Sequence, residues 1–192
     1  MGTCIECGAN DGVSHSNCKF FDDTLHWNTY NFEPTPEIYE KLVKNRQNSN
    51  VKNFKIGLGD AIKEIEFVVY PKCGVLNTSL DKRDDNNFEN KGDYYIIKVP
   101  IITYKKFIED EKITKLDLFS LDVEEQEENV LKGMEGCNVL PDVFVIEGNH
   151  RTDFDKYNSY LYKMGYVFDL HLFCNYFYVK RDKLERFGLK EL

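Results

Sequence analysis

The chain has 192 residues, of which 42% are hydrophobic and 30% charged, a balance that excludes wholesale disorder and suits one domain whose core needs no disulfide or metal staple. Thirty-three acidic residues against 25 Lys and Arg leave a net charge of −8, without the positive field that phosphate-backbone binding needs, so nucleic acid is not the expected partner. No apolar stretch approaches the roughly 20 residues that span a bilayer, and Met1 to Gly8 is not a basic then apolar signal, so a soluble cytoplasmic protein without a membrane partner is expected.

Apolar runs alternate with segments of helical period, the pattern of an α/β sheet covered by helices on both faces. Thr3 to Cys7 reads as a short buried strand running into a glycine turn at Gly8 to Gly12, and Asn17 to Trp27 as a helix with Ser16 as its cap. Asn28 to Glu33 is the second strand, Pro36 to Asn48 the second helix and Val51 to Leu58 the third strand. Ile62 to Tyr70 suggests an added strand, followed by a polar insertion at about 71–93 that we read as a loop. Tyr94 to Val99 is strand-like and Thr103 to Asp110 helical; Leu116 to Val123 is a strand, Gln126 to Met134 a helix and Asp142 to Glu147 a strand. Phe154 to Met164 is the last long helix, and Tyr166 to Leu172 and Tyr176 to Lys180 close the sheet through a tight connection at Cys174 and Asn175. Six cysteines are too sparse for a disulfide scaffold, and Cys4 and Cys7 have neither a second C-x-x-C nor a His pair at zinc spacing.

The glycine turn leaves the first strand and leads to a helix, so its backbone N–H groups are expected to point at a ligand. It lacks the G-x-G-x-x-G spacing of a dinucleotide pyrophosphate site. Glu33 ends the second strand, where a carboxylate can accept from both hydroxyls of a ribose. The two features together suggest a nucleoside cofactor without a diphosphate, of which S-adenosylmethionine is the common one.

Glu6-Cys7-Gly8-Ala9-Asn10-Asp11-Gly12 with Ser16-Asn17, then Trp27, Phe32-Glu33-Pro34, Pro36, Leu42 and Asn45-Arg46, resembles the opening of the FkbM-type S-adenosylmethionine-dependent methyltransferases. Gly57-Leu58-Gly59-Asp60 resembles their adenine-side turn, and Leu118 to Glu127 followed by Val130-Leu131-Lys132-Gly133 resembles their S-x-D-x-E-G-x-E block, with Glu125 where the family usually has Gly. Val145-Ile146-Glu147, Gly165-Tyr166 and Asn175-Tyr176-Phe177-Tyr178 follow in the family's order, so the resemblance covers nearly the whole chain. It implies a class I, Rossmann-like sheet of seven strands with the last antiparallel, formed as a single domain over 1–192. It also implies S-adenosylmethionine as cofactor, bordered by Glu6, Gly8, Ala9, Asn10, Asp11, Gly12, Ser16, Glu33, Pro34, Gly59 and Asp60.

The implied activity is O-methylation of a sugar hydroxyl or a related small polyol or glycan. Methyl transfer to oxygen requires donor and acceptor in line and a group to take the acceptor proton. Asp122, Glu124, Glu147 and His150 follow the fourth and fifth strands at the sheet edge where open α/β folds bind ligands, and they are the candidate catalytic residues. We expect Asp122 to position the acceptor and His150 to remove its proton. No metal ligand is assigned, although Asp122, Glu147, Asn149 and His150 together could hold a hard divalent ion. The acidic run Glu124, Glu125, Glu127, Glu128 reads as a solvated helix start. The alternatives are a methyltransferase-like domain that binds without turnover, suggested by Glu125, and an unrelated nucleotide-binding α/β enzyme.

Overall fold

The computed structural model describes residues 1–71, 78–79, 93–148 and 151–190. Most of the predicted insertion, together with Asn149 and His150, lies outside the described residues. The first strand, β1 (Thr3–Cys7), is followed by α1 (Lys19–Asp23), β2 (Asn28–Phe32), α2 (Pro36–Asn45) and β3 (Val51–Phe54). Next come β4 (Gly57–Gly59), β5 (Lys63–Val69), β6 (Thr78–Ser79), β7 (Tyr95–Thr103) and α3 (Tyr104–Asp110). The remainder is β8 (Leu118–Leu121), α4 (Glu127–Lys132), β9 (Val143–Glu147), α5 (Arg151–Lys163), β10 (Tyr166–Leu172), β11 (Asn175–Lys180) and a 3-10 helix over Arg181–Phe187.

Seven strands form the main sheet in the order β10-β11-β9-β8-β1-β2-β3. β1, β2, β3, β8 and β9 pair in parallel, whereas β11 runs antiparallel to both β9 and β10. The central strands have no polar face: β8 is buried at all four positions and β1 at four of five, as a parallel sheet covered on both sides demands. Alternation along β1 sends Ile5 and Cys7 to one core, with Phe32, Phe119 and Phe144, and Cys4 to the other, with Cys18 and Leu118. Cys4 and Cys7 therefore lie on opposite faces of the sheet and cannot share a metal ion. Among the described residues no helix is long and apolar enough to cross a membrane.

The structure departs from the sequence reading at several elements; Thr78–Ser79, inside the stretch read as a loop, pairs with β5 as β6, and Arg181–Phe187 adds a 3-10 helix. The predicted helix Asn17 to Trp27 shrinks to the five residues of α1. Its N-cap is Cys18, without a side-chain cap, and Ser16 stands two residues earlier, its hydroxyl accepting from the N–H groups of Cys18 and Lys19 at 3.3 and 3.0 Å. The chain then leaves the helix through His26 at φ +55 and packs Trp27 on Phe21 at 4.7 Å. Packing thus overrides the helical spacing of Trp27.

The single strand expected over Val51 to Leu58 is two strands in two sheets. β3 ends at Phe54, and β4 enters a second sheet of order β4-β7-β5-β6. β4 pairs in parallel with β7, and there a Cβ on Gly57 or Gly59 would come within 2.7 Å of the Ile101 side chain. Glycine at these positions permits that approach. The inner face of the small sheet is Ile65, Phe67, Val69, Val99 and Ile101, and Tyr95 ties it to the first turn of α2 by donating to Glu37 at 2.7 Å.

Candidate functional site

The parallel strands end along one edge, and a cleft of about 1010 Å³ opens there. The small sheet stands over it, so Ile65, Phe67, Val99 and Ile101 make an apolar wall facing the polar strand ends of the main sheet. The volume lies at the top of the ~300–1,000 Å³ range of small-molecule sites, enough for two reactants side by side.

The glycine turn is the first side of the cleft. Gly8 sits at φ +81, and a Cβ there would lie 1.8 Å from the Asp122 backbone oxygen. Gly8 therefore brings the ends of β1 and β8 together rather than only admitting a ligand. The expectation that the turn's N–H groups aim at a ligand is corrected by their partners. Gly8 and Ala9 both donate to the Phe32 carbonyl, at 3.1 and 3.0 Å, and Gly12 donates to Ala9. Val13 and Ser14 donate to the Asp11 carboxylate at 2.9 and 2.7 Å, and Asn10 donates its backbone N–H to Glu33. A turn spent on its own backbone is no phosphate nest.

Among the expected cofactor residues, Gly8, Asn10, Ser16, Glu33, Pro34, Gly59 and Asp60 line the cleft. Glu6, Ala9, Asp11 and Gly12 do not, and their positions show why. Glu6 is buried under the turn, accepting from Ser16 Oγ at 2.8 Å and from the Asn17 and Cys18 N–H groups at 2.6 and 3.1 Å. It shapes the loop that carries Ser16 and Asn17 to the cleft. Ala9 is buried in the turn, Asp11 holds the next two N–H groups, and Gly12 packs on Leu42 and Arg46 at φ +77.

Glu33 is only 7% exposed at the end of β2. It accepts from the Thr35 N–H at 2.8 Å, and burial pushes its carboxyl up against the opposing hydrogen bonds from Thr35 and Asn10. Asp60, expected at an adenine edge, is exposed and ion-paired to Lys63 at 2.7 Å, which holds its carboxyl below the ordinary range.

The second side of the cleft is acidic. Asp122 follows β8 and donates its backbone N–H to Cys7 at 3.0 Å, while Glu147 ends the neighbouring β9. Burial, and then the hydrogen bond and charge of Glu147, push Asp122 up to about 9, so one proton is retained within the pair at neutral pH. Glu124 lines the cleft at φ +51.

Sequence reasoning missed Glu127. It is not part of a solvated helix start: it is 3% exposed, accepts from the Val123 N–H at 3.0 Å and from the Tyr157 hydroxyl at 3.1 Å, and is pushed up by burial. The signal was present, since Glu127 begins the i, i+3, i+4, i+7 stripe of Val130, Leu131 and Met134. Asp122, Glu127 and Glu147 bring their carboxylate oxygens within 4.8 Å of one another. Asn17 was also missed; it lines the cleft and donates its side-chain amide to Ser120 Oγ at 3.0 Å.

Backbone strain concentrates here. Of seven non-glycine residues with left-handed φ among those described, Asn10, His15, Glu124 and Phe173 line the cleft and Glu125 adjoins it. Glu125 sits at φ +72, in the left-handed region that glycine enters without cost.

A main sheet ordered β3-β2-β1-β8-β9-β11-β10 with β11 alone reversed, and a ligand cleft across its carboxyl edge, define a class I methyltransferase. The methyltransferase FkbM domain model matches residues 6–168, and the chain belongs to that family, whose methyl donor is S-adenosylmethionine. The structure is similar to the Methanococcus jannaschii fibrillarin pre-rRNA processing protein, with TM-score 0.52 and 13% identity over 94% of this chain and 66% of that one. It is also similar to precorrin-6y C5,15-methyltransferase from Geobacter metallireducens GS-15, with TM-score 0.48 and 10% identity over 92% of this chain and 77% of that one. A third similar structure is the ribosomal protein L11 methylase of Lactobacillus delbrueckii subsp. bulgaricus, with TM-score 0.47 and 10% identity over 92% of this chain and 67% of that one. No curated protein matches the chain.

The cleft fits this donor. A buried carboxylate at Glu33 suits two neutral hydroxyl donors, the apolar side chains of Ile38, Ile56 and Leu58 suit a flat base, and the self-satisfied glycine turn suits a ligand without phosphates.

Proposed function

We propose that this chain, acting as one domain, is an S-adenosylmethionine-dependent O-methyltransferase whose acceptor is a sugar hydroxyl or a related small polyol. The observation that carries the reading is that the Glu33 end and the Asp122–Glu147 pair share one cleft. Gly8, Asn10, Ser16, Glu33 and Pro34 hold the donor side, and Asp60, through its pairing with Lys63, shapes the far end. When bound there, the donor would supply an electrophilic methyl on a sulfonium, with a neutral thioether as the leaving group.

Asp122, holding its proton, hydrogen-bonds Glu147 and orients it, and Glu147 accepts the hydroxyl proton as the new C–O bond forms. Glu124 borders the acceptor. Glu127 keeps the start of α4 against Val123 and so fixes the loop behind Asp122. His150, expected from the sequence to remove the proton, lies outside the described residues, and the lining of the cleft by Asp122 and Glu147 supports assigning that role to the carboxyl pair.

The test is transfer of labelled methyl to a panel of deoxysugars and glycans. Glu147→Gln is expected to lower kcat by about 10²–10⁴-fold with S-adenosylhomocysteine affinity unchanged. Wild-type turnover by that variant, or tight donor binding with no acceptor methylated, would overturn the reading.

A further inference from the structure

The tip of the β10–β11 hairpin reaches the acidic end of the cleft, where Phe173, Cys174 and Asn175 line it. The tip is held against the end of β9: Asn175 pairs with Glu147, and the Gly148 N–H donates to the Cys174 carbonyl at 2.8 Å. Phe173 is 88% exposed, and its backbone is held at φ +55, a region that bulky side chains avoid. An aromatic ring that is neither buried nor in a relaxed conformation, mounted on a rigid tip beside the candidate catalytic pair, contributes nothing evident to the core. Its open face is available to a ligand.

The surroundings specify that ligand. The amides of Gln126, Asn129 and Asn175 line the same end as the carboxyls of Asp122, Glu124 and Glu147, a mixture of donors and acceptors suited to several hydroxyls. The acidic groups repel an anionic acceptor. A ring bearing hydroxyls on its edge and C–H groups on its face satisfies both the polar floor and the aromatic wall.

We infer that Phe173 is a specificity-determining residue that stacks on the C–H face of an uncharged pyranoside acceptor while Asp122 and Glu147 meet one of its hydroxyls. This rests on the methyltransferase reading above and adds to it the acceptor's ring form, its neutrality and the residue that selects them.

The experiment is saturation-transfer NMR on the intact protein with S-adenosylhomocysteine present, using a panel of neutral methyl pyranosides and the corresponding uronates as probes. The neutral pyranosides are expected to show saturation at the ring C–H protons and the uronates none. Phe173→Asn, which suits left-handed backbone better than Phe, is expected to keep or raise thermal stability, to bind S-adenosylhomocysteine as wild type does, and to weaken pyranoside binding about 3–10-fold. Phe173→Tyr is expected to retain binding. Unchanged pyranoside affinity in Phe173→Asn, or uronates binding as well as neutral sugars, would overturn the inference and leave the methyltransferase reading intact. Failure of S-adenosylhomocysteine itself to bind would overturn both.

Discussion

Arg46 Nε donates to Asp22 Oδ2 at 2.8 Å with both side chains fully buried. The same guanidinium donates through Nη1 to the Gly12 carbonyl at 3.2 Å and to Ser16 Oγ at 3.1 Å, and faces Glu6 at 3.5 Å. One cation at the end of α2 therefore joins α1 to both ends of the loop that carries the donor side of the cleft. Arg46→Met leaves two buried carboxylates without a counter-charge and is expected to destabilise the fold by about 3–5 kcal/mol. Urea denaturation measures it; a loss under about 1 kcal/mol would show that the network does not hold the loop.

Glu33 tests the donor side. Glu33→Ala is expected to weaken S-adenosylhomocysteine binding by about 1.5–3 kcal/mol, since two charge-assisted hydrogen bonds disappear. Because burial raises this carboxyl, affinity in the wild type should also decline as pH falls from neutrality, when the carboxylate takes up a proton and loses acceptor capacity. Calorimetry across pH 5 to 8 reads both effects, and a pH-independent affinity equal in the two proteins would remove Glu33 from the site.

Asp122 gives a pH dependence of stability with a definite sign. Its folded value, about 9, stands above the ordinary 3.8, so between those limits the unfolded chain has released a proton that the folded chain retains. Any stability this group lends is complete below about pH 4 and is lost progressively up to about pH 9. Asp122→Asn removes the titration, and its Tm relative to wild type should rise as pH increases from 5 to 9. Thermal melts showing a constant difference would place Asp122 in solvent-like surroundings.

Glu125→Gly relieves a left-handed backbone at an exposed side chain and is expected to stabilise the protein by up to about 1 kcal/mol, with donor affinity unchanged. A loss of stability would mean that Glu125 holds the turn through its side chain.

β1, β8 and β9 were legible because each is a largely apolar run closed by Gly or an acid, and the reversed closing pair followed from the tight connection at Cys174. The division between β3 and β4 was not, because the cause is Ile101, far along the chain, pressing on Gly57 and Gly59. Glu33, Asp122 and Glu147 were legible as acids at strand ends. The silence of the glycine turn was not: the acceptor that takes its N–H groups is the Phe32 carbonyl, delivered by a parallel neighbour whose register no local pattern specifies. Glu127 was legible from its helical spacing, but the density of acids around it disguised a buried position as a solvated one.

The place of β1 in the sheet also orders its assembly in time. One edge of β1 pairs with β2, Thr3 opposite Asn28, and is complete once Phe32 has left the ribosome. Its other edge must wait for β8, and the hydrogen bond from the Thr3 N–H to Asp117 joins residues 114 positions apart. At ~5–20 residues per second that edge stays open for several seconds of synthesis, an apolar strand with unpaired backbone groups. The nascent chain is therefore most vulnerable to mispairing before β8 emerges, and the contact that ends this exposure is the one that brings Gly8 against Asp122: closing the sheet and building the cleft are a single late event.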